Sequence, residues 1–312
     1  MRGTSQRRAA LDSTPKFLIE AEMLNLRVDR WLALYCFRPL RRAFSSAARC
    51  RVPILMYHSI SKDPEPGVAS YYRLCTSPTV FRRQMAFLRE QGYGTVDLDA
   101  LSPLPAAANA RNDRLVVITF DDGFRDNLTE ALPVLEEFGF TATVYVATAY
   151  IRDKRCSFKG RDCLIWPEVR EMQARGIRFG SHTVNHPVLY ELSSQEIANE
   201  LSNSRAQLED RLQTHVTAFA YPYAFPKHDP PYAARFKSLL SENGYNSAVT
   251  TTIGCAQRGD DALALRRLPV NSADDLALFK TKLDGAYDWV EFPQHIFKTF
   301  KHMRRNTAEP RR

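Results

Sequence analysis

No stretch of this sequence reaches the roughly 18 consecutive apolar residues that a helix needs to cross a bilayer. The nearest candidate, Trp31 to Leu40 (WLALYCFRPL), is too short and runs into Arg41 and Arg42. The acidic residues before it (Glu20, Glu22, Asp29) do not resemble the front of a signal peptide. It reads either as an interfacial segment or as an N-terminal helix packed on the body of the protein. The six cysteines include no Cys-x-x-Cys pair, which removes a zinc ribbon and a thioredoxin-like redox site. Cys156 and Cys163 can pair in an oxidising compartment, but free thiols suit a chain of this size as well. No Gly-x-Gly-x-x-Gly follows a strand-like run, so a dinucleotide site is not expected. Internal repeats, low-complexity tracts and a basic stripe with interleaved aromatics are also lacking, and no nucleic-acid partner is expected.

What is there describes a globular chain. With 44% hydrophobic and 11% aromatic residues among 312, it can bury one large core or two modest ones, and α/β barrels reach this size as single domains. The net charge of +8 gathers at the ends, in Arg2, Arg7, Arg8, Arg41, Arg42, Arg49 and Arg51, and again in Lys301, Arg304, Arg305, Arg311 and Arg312. That distribution suits peripheral contact with an anionic membrane, and equally a solvated basic face. The expected division is a basic N-terminal extension over 1–50, a catalytic barrel over 51–285 and a basic tail over 286–312. The expected location is cytoplasmic or peripheral to a membrane.

From residue 52 onward, short β-rich runs alternate with helical patterns, the signature of βα units around a parallel sheet. Strands are predicted at VPILMYHSI (52–60), LVVITF (115–120), TATVYVAT (141–148), RFGSH (178–182), AFAYPY (218–223), NSAVTT (246–251) and ALRRLPV (264–270). Between them fall a helix opened by Ser77-Pro78, one over NLTEALPVLEEFGF closed by Gly139, and a long one opened by the capping box Ser193 to Glu196. The pattern favours a closed or nearly closed barrel, in which reactive groups sit at the carboxyl ends of the strands.

Ionisable residues gather at those ends. His58 follows the first strand, Asp121 and Asp122 the LVVITF strand, His182 and His186 the RFGSH strand, and Tyr223 the AFAYPY strand, while Arg267 lies within the last. His182 and His186, four apart between Gly180 and Pro187, have the separation of two imidazoles that share a metal from a tight loop. No Glu follows His182, so the helical zincin motif is absent. Two histidines and one carboxylate make a common first shell for a catalytic metal, and either aspartate can complete it. Adjacent buried carboxylates are costly without a compensating cation. Successive strand residues point to opposite faces, so the two aspartates share a site only if the strand ends there, which Gly123 allows. One then binds the metal and the other serves as base. The competing reading, that an aspartate merely caps the following helix, suits Asp126 and Asn127 better.

These residues together resemble a known family. Thr119-Phe120-Asp121-Asp122-Gly123, Ser181-His182-Thr183-Val184-Asn185-His186 and Ala220-Tyr221-Pro222-Tyr223 look like the motifs of the polysaccharide deacetylases, the NodB-homology family or carbohydrate esterase family four. Pro53-Ile54-Leu55-Met56-Tyr57-His58-Ser59 and Leu265-Arg266-Arg267-Leu268-Pro269-Val270 resemble the branch that contains poly-N-acetylglucosamine deacetylases. The resemblance spans residues 52–275. It implies a distorted (β/α) barrel of about seven parallel strands and metal-dependent removal of N-acetyl groups from a polysaccharide or a lipid-linked sugar. It further implies that Asp121 is the general base, that Asp122, His182 and His186 hold a divalent metal, zinc first, and that the Tyr223 N–H donates to the oxyanion. Two departures follow. Ala220 stands where many members carry an arginine that orients the base, and Arg267 is the candidate replacement. No Leu-x-His motif closes the barrel, and His58, on the strand expected to neighbour the last one, is the candidate general acid. His215, His228, His295 and His302 fall in turns or in the tail. Loop aromatics Tyr71, Tyr72, Phe124, Trp166, Tyr190 and Tyr221 are candidates for stacking on sugar rings. The alternatives are a catalytically weak carbohydrate-binding member of the fold, or another amide hydrolase such as a deformylase or a cyclic ureide hydrolase.

Overall fold

The computed structural model describes residues 27–44, 51–101, 114–227, 229–257 and 259–294. Most of the basic termini, together with His228, His295 and His302, lie outside the described residues. Seven parallel strands close into a barrel. They are β1 (Ile54–Tyr57), β2 (Arg114–Phe120), β3 (Thr143–Val146), β4 (Arg178–Ser181), β5 (Ala218–Ala220), β6 (Ser247–Ile253) and β7 (Leu265–Pro269). The ring closes where β7 pairs with β1 (Leu268 opposite Leu55) and β1 pairs with β2 (Tyr57 opposite Phe120). The expected adjacency of first and last strands is therefore present. A register irregularity between Val249 and Ile253, where β6 meets β7, distorts the barrel. A short strand, Tyr93–Thr95, adds to the opening residues of β2.

Helices α1 (Pro78–Glu90), α2 (Leu132–Phe138), α3 (Trp166–Ala174), α4 (Ser194–Leu212), α5 (Pro230–Glu242) and α6 (Leu276–Leu283) surround the ring. Their ends follow the local chemistry. Ser77 caps α1 ahead of its proline, α4 opens on the reciprocal Ser193–Glu196 bonds, and Gly139 closes α2 at φ +68°. Strand alternation then sorts the side chains of β2. Phe120 faces the helices and packs on Tyr57 and on Phe81 of α1, while Thr119 and Asp121 share the interior face.

Residues 28–44 form a helix that packs on the barrel along one side and leaves Trp31, Tyr35 and Leu40 exposed on the other. Buried Asp29 accepts hydrogen bonds from Arg27 and from the Tyr287 hydroxyl, Arg27 also reaches Asp274, and Lys282 closes the group on Asp274. Phe37 stacks on Trp289 at 4.8 Å. Arg41 and Arg51 belong to this packing as well, Arg41 donating to the Gly285 carbonyl and Arg51 pairing with Asp288. No described helix is long and apolar enough to cross a membrane.

Candidate active site

The carboxyl ends of β1, β2, β4 and β5 converge on one buried cluster. Along β2 the alternation places Asp121 inward beside Thr119 and would send the next side chain away from it. The chain avoids this by turning left-handed at Asp122 (φ +72°) and Gly123 (φ +68°), which brings the second carboxylate back to the same mouth. Gly123 is required there twice over, since an added Cβ would also lie 2.8 Å from Val146 Cγ1.

Each aspartate has its own cation. Arg267, fully buried within the barrel, donates from Nη1 and Nη2 to the two oxygens of Asp121, both at 2.7 Å. Its Nε donates to the Thr250 carbonyl and Nη1 also reaches Thr119 Oγ1, which fixes the plane of the guanidinium. Burial alone would push the Asp121 carboxyl up, but the charge and hydrogen bonds of Arg267 prevail and hold it below the usual carboxylate range. Asp122 donates nothing and accepts from Lys159, whose Nζ lies 3.1 Å from Oδ2. Burial opposes ionisation here too, and Lys159 followed by His186 outweighs it, so Asp122 stays well below the ordinary value.

The histidine loop faces the other oxygen. His182 Nε2 lies 3.8 Å and His186 Nε2 3.3 Å from Asp122 Oδ1. His182 Nδ1 bonds the Ala220 carbonyl at 2.7 Å, which leaves Nε2 as the nitrogen presented to Asp122. Ala220 thus contributes its backbone at the position where an arginine was looked for. Burial lowers the affinity of both imidazoles for protons, His186 to about 3, so both are neutral and have a lone pair to offer. Glu200 of α4 holds the loop from outside, accepting from the Val184 and Asn185 N–H groups and from the Asn185 side chain.

Asp122, His182 and His186 form a group that can bind a metal ion, their ligand atoms all within 4.8 Å of one another. The residues fit such an ion. Asp122 Oδ1 is a buried carboxylate oxygen with no hydrogen-bond partner, facing two neutral imidazole nitrogens. The backbone carries the same mark. Of seven non-glycine residues at positive φ among the described residues, five (Asp122, Lys159, Thr183, His186, Tyr223) surround this cluster. Each such conformation costs on the order of 1 kcal/mol, and such strain collects at functional sites.

The remaining predicted residues divide. His58 Nε2 is 3.9 Å from Asp121 Oδ2, at the cluster but beyond hydrogen-bond length, and burial lowers its pKa. Tyr223 packs edge-on against His186 at 4.7 Å, and its carbonyl accepts from Thr251 Oγ1. Asp126 does not cap a helix. Its carboxylate is used earlier in the chain, by the Ser59 hydroxyl and the Ile60 N–H, which ties the end of β1 to the segment after β2. Phe124, Trp166 and Tyr221 are buried in the core and cannot stack on a sugar; Tyr71, Tyr72 and Tyr190 are half-buried. His215 is exposed beside Glu209, away from the cluster. Cys156 and Cys163 are free thiols.

Sequence reasoning missed Lys159 and Glu200. Nothing near Asp122 in sequence announces Lys159, and the only local signal was its place before Gly160 in a two-residue turn.

Residues 108–248 match the family model for polysaccharide deacetylases. A protein of Bacillus subtilis (strain 168) assigned as a polysaccharide deacetylase is 30% identical over 221 residues, covering 71% of this chain and 72% of its own length. The poly-β-1,6-N-acetyl-D-glucosamine N-deacetylase of Escherichia coli (strain K12) is 30% identical over 118 residues, 34% of this chain and 17% of that protein. Among solved structures, a Streptococcus pyogenes deacetylase in complex with acetate superposes with a TM-score of 0.63 at 27% identity, over 76% of this chain and 99% of that one. The chain belongs to the polysaccharide deacetylase family, hydrolases that act on the carbon–nitrogen bonds of acetylated sugars.

Proposed function

We propose that this protein removes N-acetyl groups from an N-acetylglucosamine-type glycan, with a divalent metal, zinc first, held by Asp122, His182 and His186. The observation that carries the reading is the unpartnered Asp122 Oδ1 facing two imidazole nitrogens, next to a second carboxylate held ionised by a bidentate arginine. Two imidazoles and one carboxylate are a donor set that suits zinc while leaving positions open. Bound there, the metal would acidify a water and polarise the acyl oxygen.

The chain's own residues supply the rest. Asp121, ionised and fixed by Arg267, takes a proton from the attacking water, so that hydroxide adds to the acyl carbon. The Tyr223 N–H, in a backbone pinned through its carbonyl by Thr251, donates to the acyl oxygen as charge develops on it. Carbon–nitrogen cleavage then releases acetate while the departing nitrogen gains a proton, from His58 across the mouth from Asp121. A buried imidazole with a depressed pKa is neutral at rest and a ready donor once protonated, which suits a relay of the proton that Asp121 has taken.

The test is acetate release from N-acetylglucosamine oligomers by metal-reconstituted protein, beside Asp121→Asn. Full activity in that variant would remove Asp121 as the base, and no release from the wild type on any oligomer would remove the substrate class. A membrane-side location is supported by Trp31, Tyr35 and Leu40, exposed at 56%, 63% and 51% on the N-terminal helix, in a segment whose sequence also carries Arg42 and Arg49. Sedimentation with anionic but not neutral vesicles, lost in Trp31→Ala/Tyr35→Ala, is the expected result.

A further inference from the structure

We propose that Lys159 sets how Asp122 meets the metal: by holding Oδ2 it leaves Oδ1 as the single ligand oxygen, and its charge keeps the site from neutralising the ion. This rests on the metal reading above. The two oxygens of Asp122 are already sorted. Oδ2 accepts from Lys159 Nζ at 3.1 Å, while Oδ1 has no partner and faces His186 Nε2 at 3.3 Å and His182 Nε2 at 3.8 Å. A carboxylate with one oxygen held by an ammonium group has one oxygen to give.

The delivery of Lys159 is built rather than incidental. Strand Ser157–Phe158 pairs antiparallel with Arg161–Asp162, and the two residues between, Lys159 and Gly160, have φ +51° and +79°. A two-residue turn of this kind favours Asn-Gly, and lysine is poorly suited to its first position. The hairpin is fastened to the chain just after Asp122, through Leu164 N–H to the Gly123 carbonyl, Arg125 N–H to the Asp162 carbonyl and a bridge between Phe124 and Cys163. The ammonium sits 4.7 Å from the Phe158 ring centre and 5.7 Å from that of Tyr223, so aromatic faces flank it on its way to Asp122.

Electrostatics gives the arrangement a consequence. Asp121 is matched by Arg267 and Asp122 by Lys159, so the two carboxylates and two cations balance before any metal arrives. A dication held by neutral imidazoles in such a site keeps its charge. Outer partners of metal ligands usually strengthen binding because they raise ligand basicity, but a cationic partner lowers it, and the sign reverses. Lys159 therefore weakens binding and strengthens the polarising power of the ion.

The experiment uses the full chain with Lys159→Met, zinc affinity by competition with a chromophoric chelator, and the visible spectrum after cobalt(II) substitution. Expected are zinc binding about tenfold or more tighter and weaker cobalt bands, as the second oxygen raises the coordination number, with Lys159→Arg returning both towards wild type. Metal-free Lys159→Met should also melt below metal-free wild type, and the gap should close on metal binding. An unchanged cobalt spectrum, or a fall in affinity, overturns the proposal. Should Lys159→Met fail to fold, Lys159→Gln, neutral but still able to donate, is read by the same two measures. A wild type that takes up no metal overturns the metal reading and this proposal with it; wild-type binding that the variants leave unaltered overturns this proposal alone.

Discussion

Replacing Arg267 with methionine is the sharpest perturbation of this site. The guanidinium is fully buried and makes two 2.7 Å bonds to Asp121, whose own exposure is 2%. Removing one member of a buried ion pair costs about 3–5 kcal/mol, because the survivor keeps its desolvation without its partner. In a chain of this length that lowers the melting temperature by roughly 5–8 °C. The loss depends on pH in a definite direction. In the wild type the Asp121 pKa is depressed, so its contribution is present above the unfolded carboxylate range and is lost as pH falls through the folded value. Without Arg267, burial dominates and raises that pKa, so the folded variant gains protons before the unfolded chain does. Its deficit should be greatest at neutral pH and above, and should shrink in acid. Asp121→Asn in the Arg267→Met background, which removes the stranded charge, should recover part of the deficit. Acetate release should fall at neutral pH, and its acid limb should move to higher pH. The assays are urea unfolding between pH 4 and 8 and the pH profile of release. A variant within about 1 kcal/mol of wild type at pH 8, or a deficit that does not vary with pH, would refute the reasoning.

Adding zinc to metal-free protein should raise the unfolding free energy by about 4 kcal/mol at a thousandfold excess over Kd, and His182→Ala should abolish this rise without unfolding the chain; calorimetry reads both. Gly123→Ala should cost about 1–3 kcal/mol, since it combines positive φ with the 2.8 Å approach to Val146, and a melting temperature equal to wild type would contradict the turn geometry. Glu200→Ala, which frees the loop between His182 and His186, should weaken zinc binding about 10- to 100-fold, measured by the same competition titration. In metal-free protein His186 stays neutral down to about pH 3, so as pH falls below 6.5 the unfolded state takes up a proton that the folded state refuses. Stability should therefore drop by about 1.4 kcal/mol per pH unit from this residue, a slope that His186→Gln should remove.

Much of this arrangement was legible in the sequence because it is carried by periodicity and by residues at the ends of strands. The βα alternation announced the barrel, and closure of β7 against β1 is what brings Arg267 and His58 to the same mouth as Asp121. Two features escaped for physical reasons. Lys159 reaches Asp122 across 37 positions from a hairpin whose strands are two residues each, too short to show alternation. The buried network of Arg27, Asp29, Asp274, Lys282 and Tyr287 joins residues 258 positions apart, and no local pattern marks a charged residue for burial when its partners arrive from the other end of the chain.

Two positions show how the ring redistributes roles. Asp126 was read as a cap because its neighbourhood opens a helix, yet its carboxylate serves Ser59 and Ile60 on another strand. Ala220 stands where an arginine was expected, with Arg267 as the candidate replacement; Arg267 of β7 does hold Asp121, and the Ala220 carbonyl orients His182. For Asp126 the side chain suggested a local role and the barrel assigned a distant one. A parallel barrel brings the ends of strands that are far apart in sequence into one ring, so a function lost at one strand can be restored from another. The guanidinium that holds Asp121 comes from β7, two strands along the ring from the one that ends at Ala220, and reaches both carboxylate oxygens across the barrel interior.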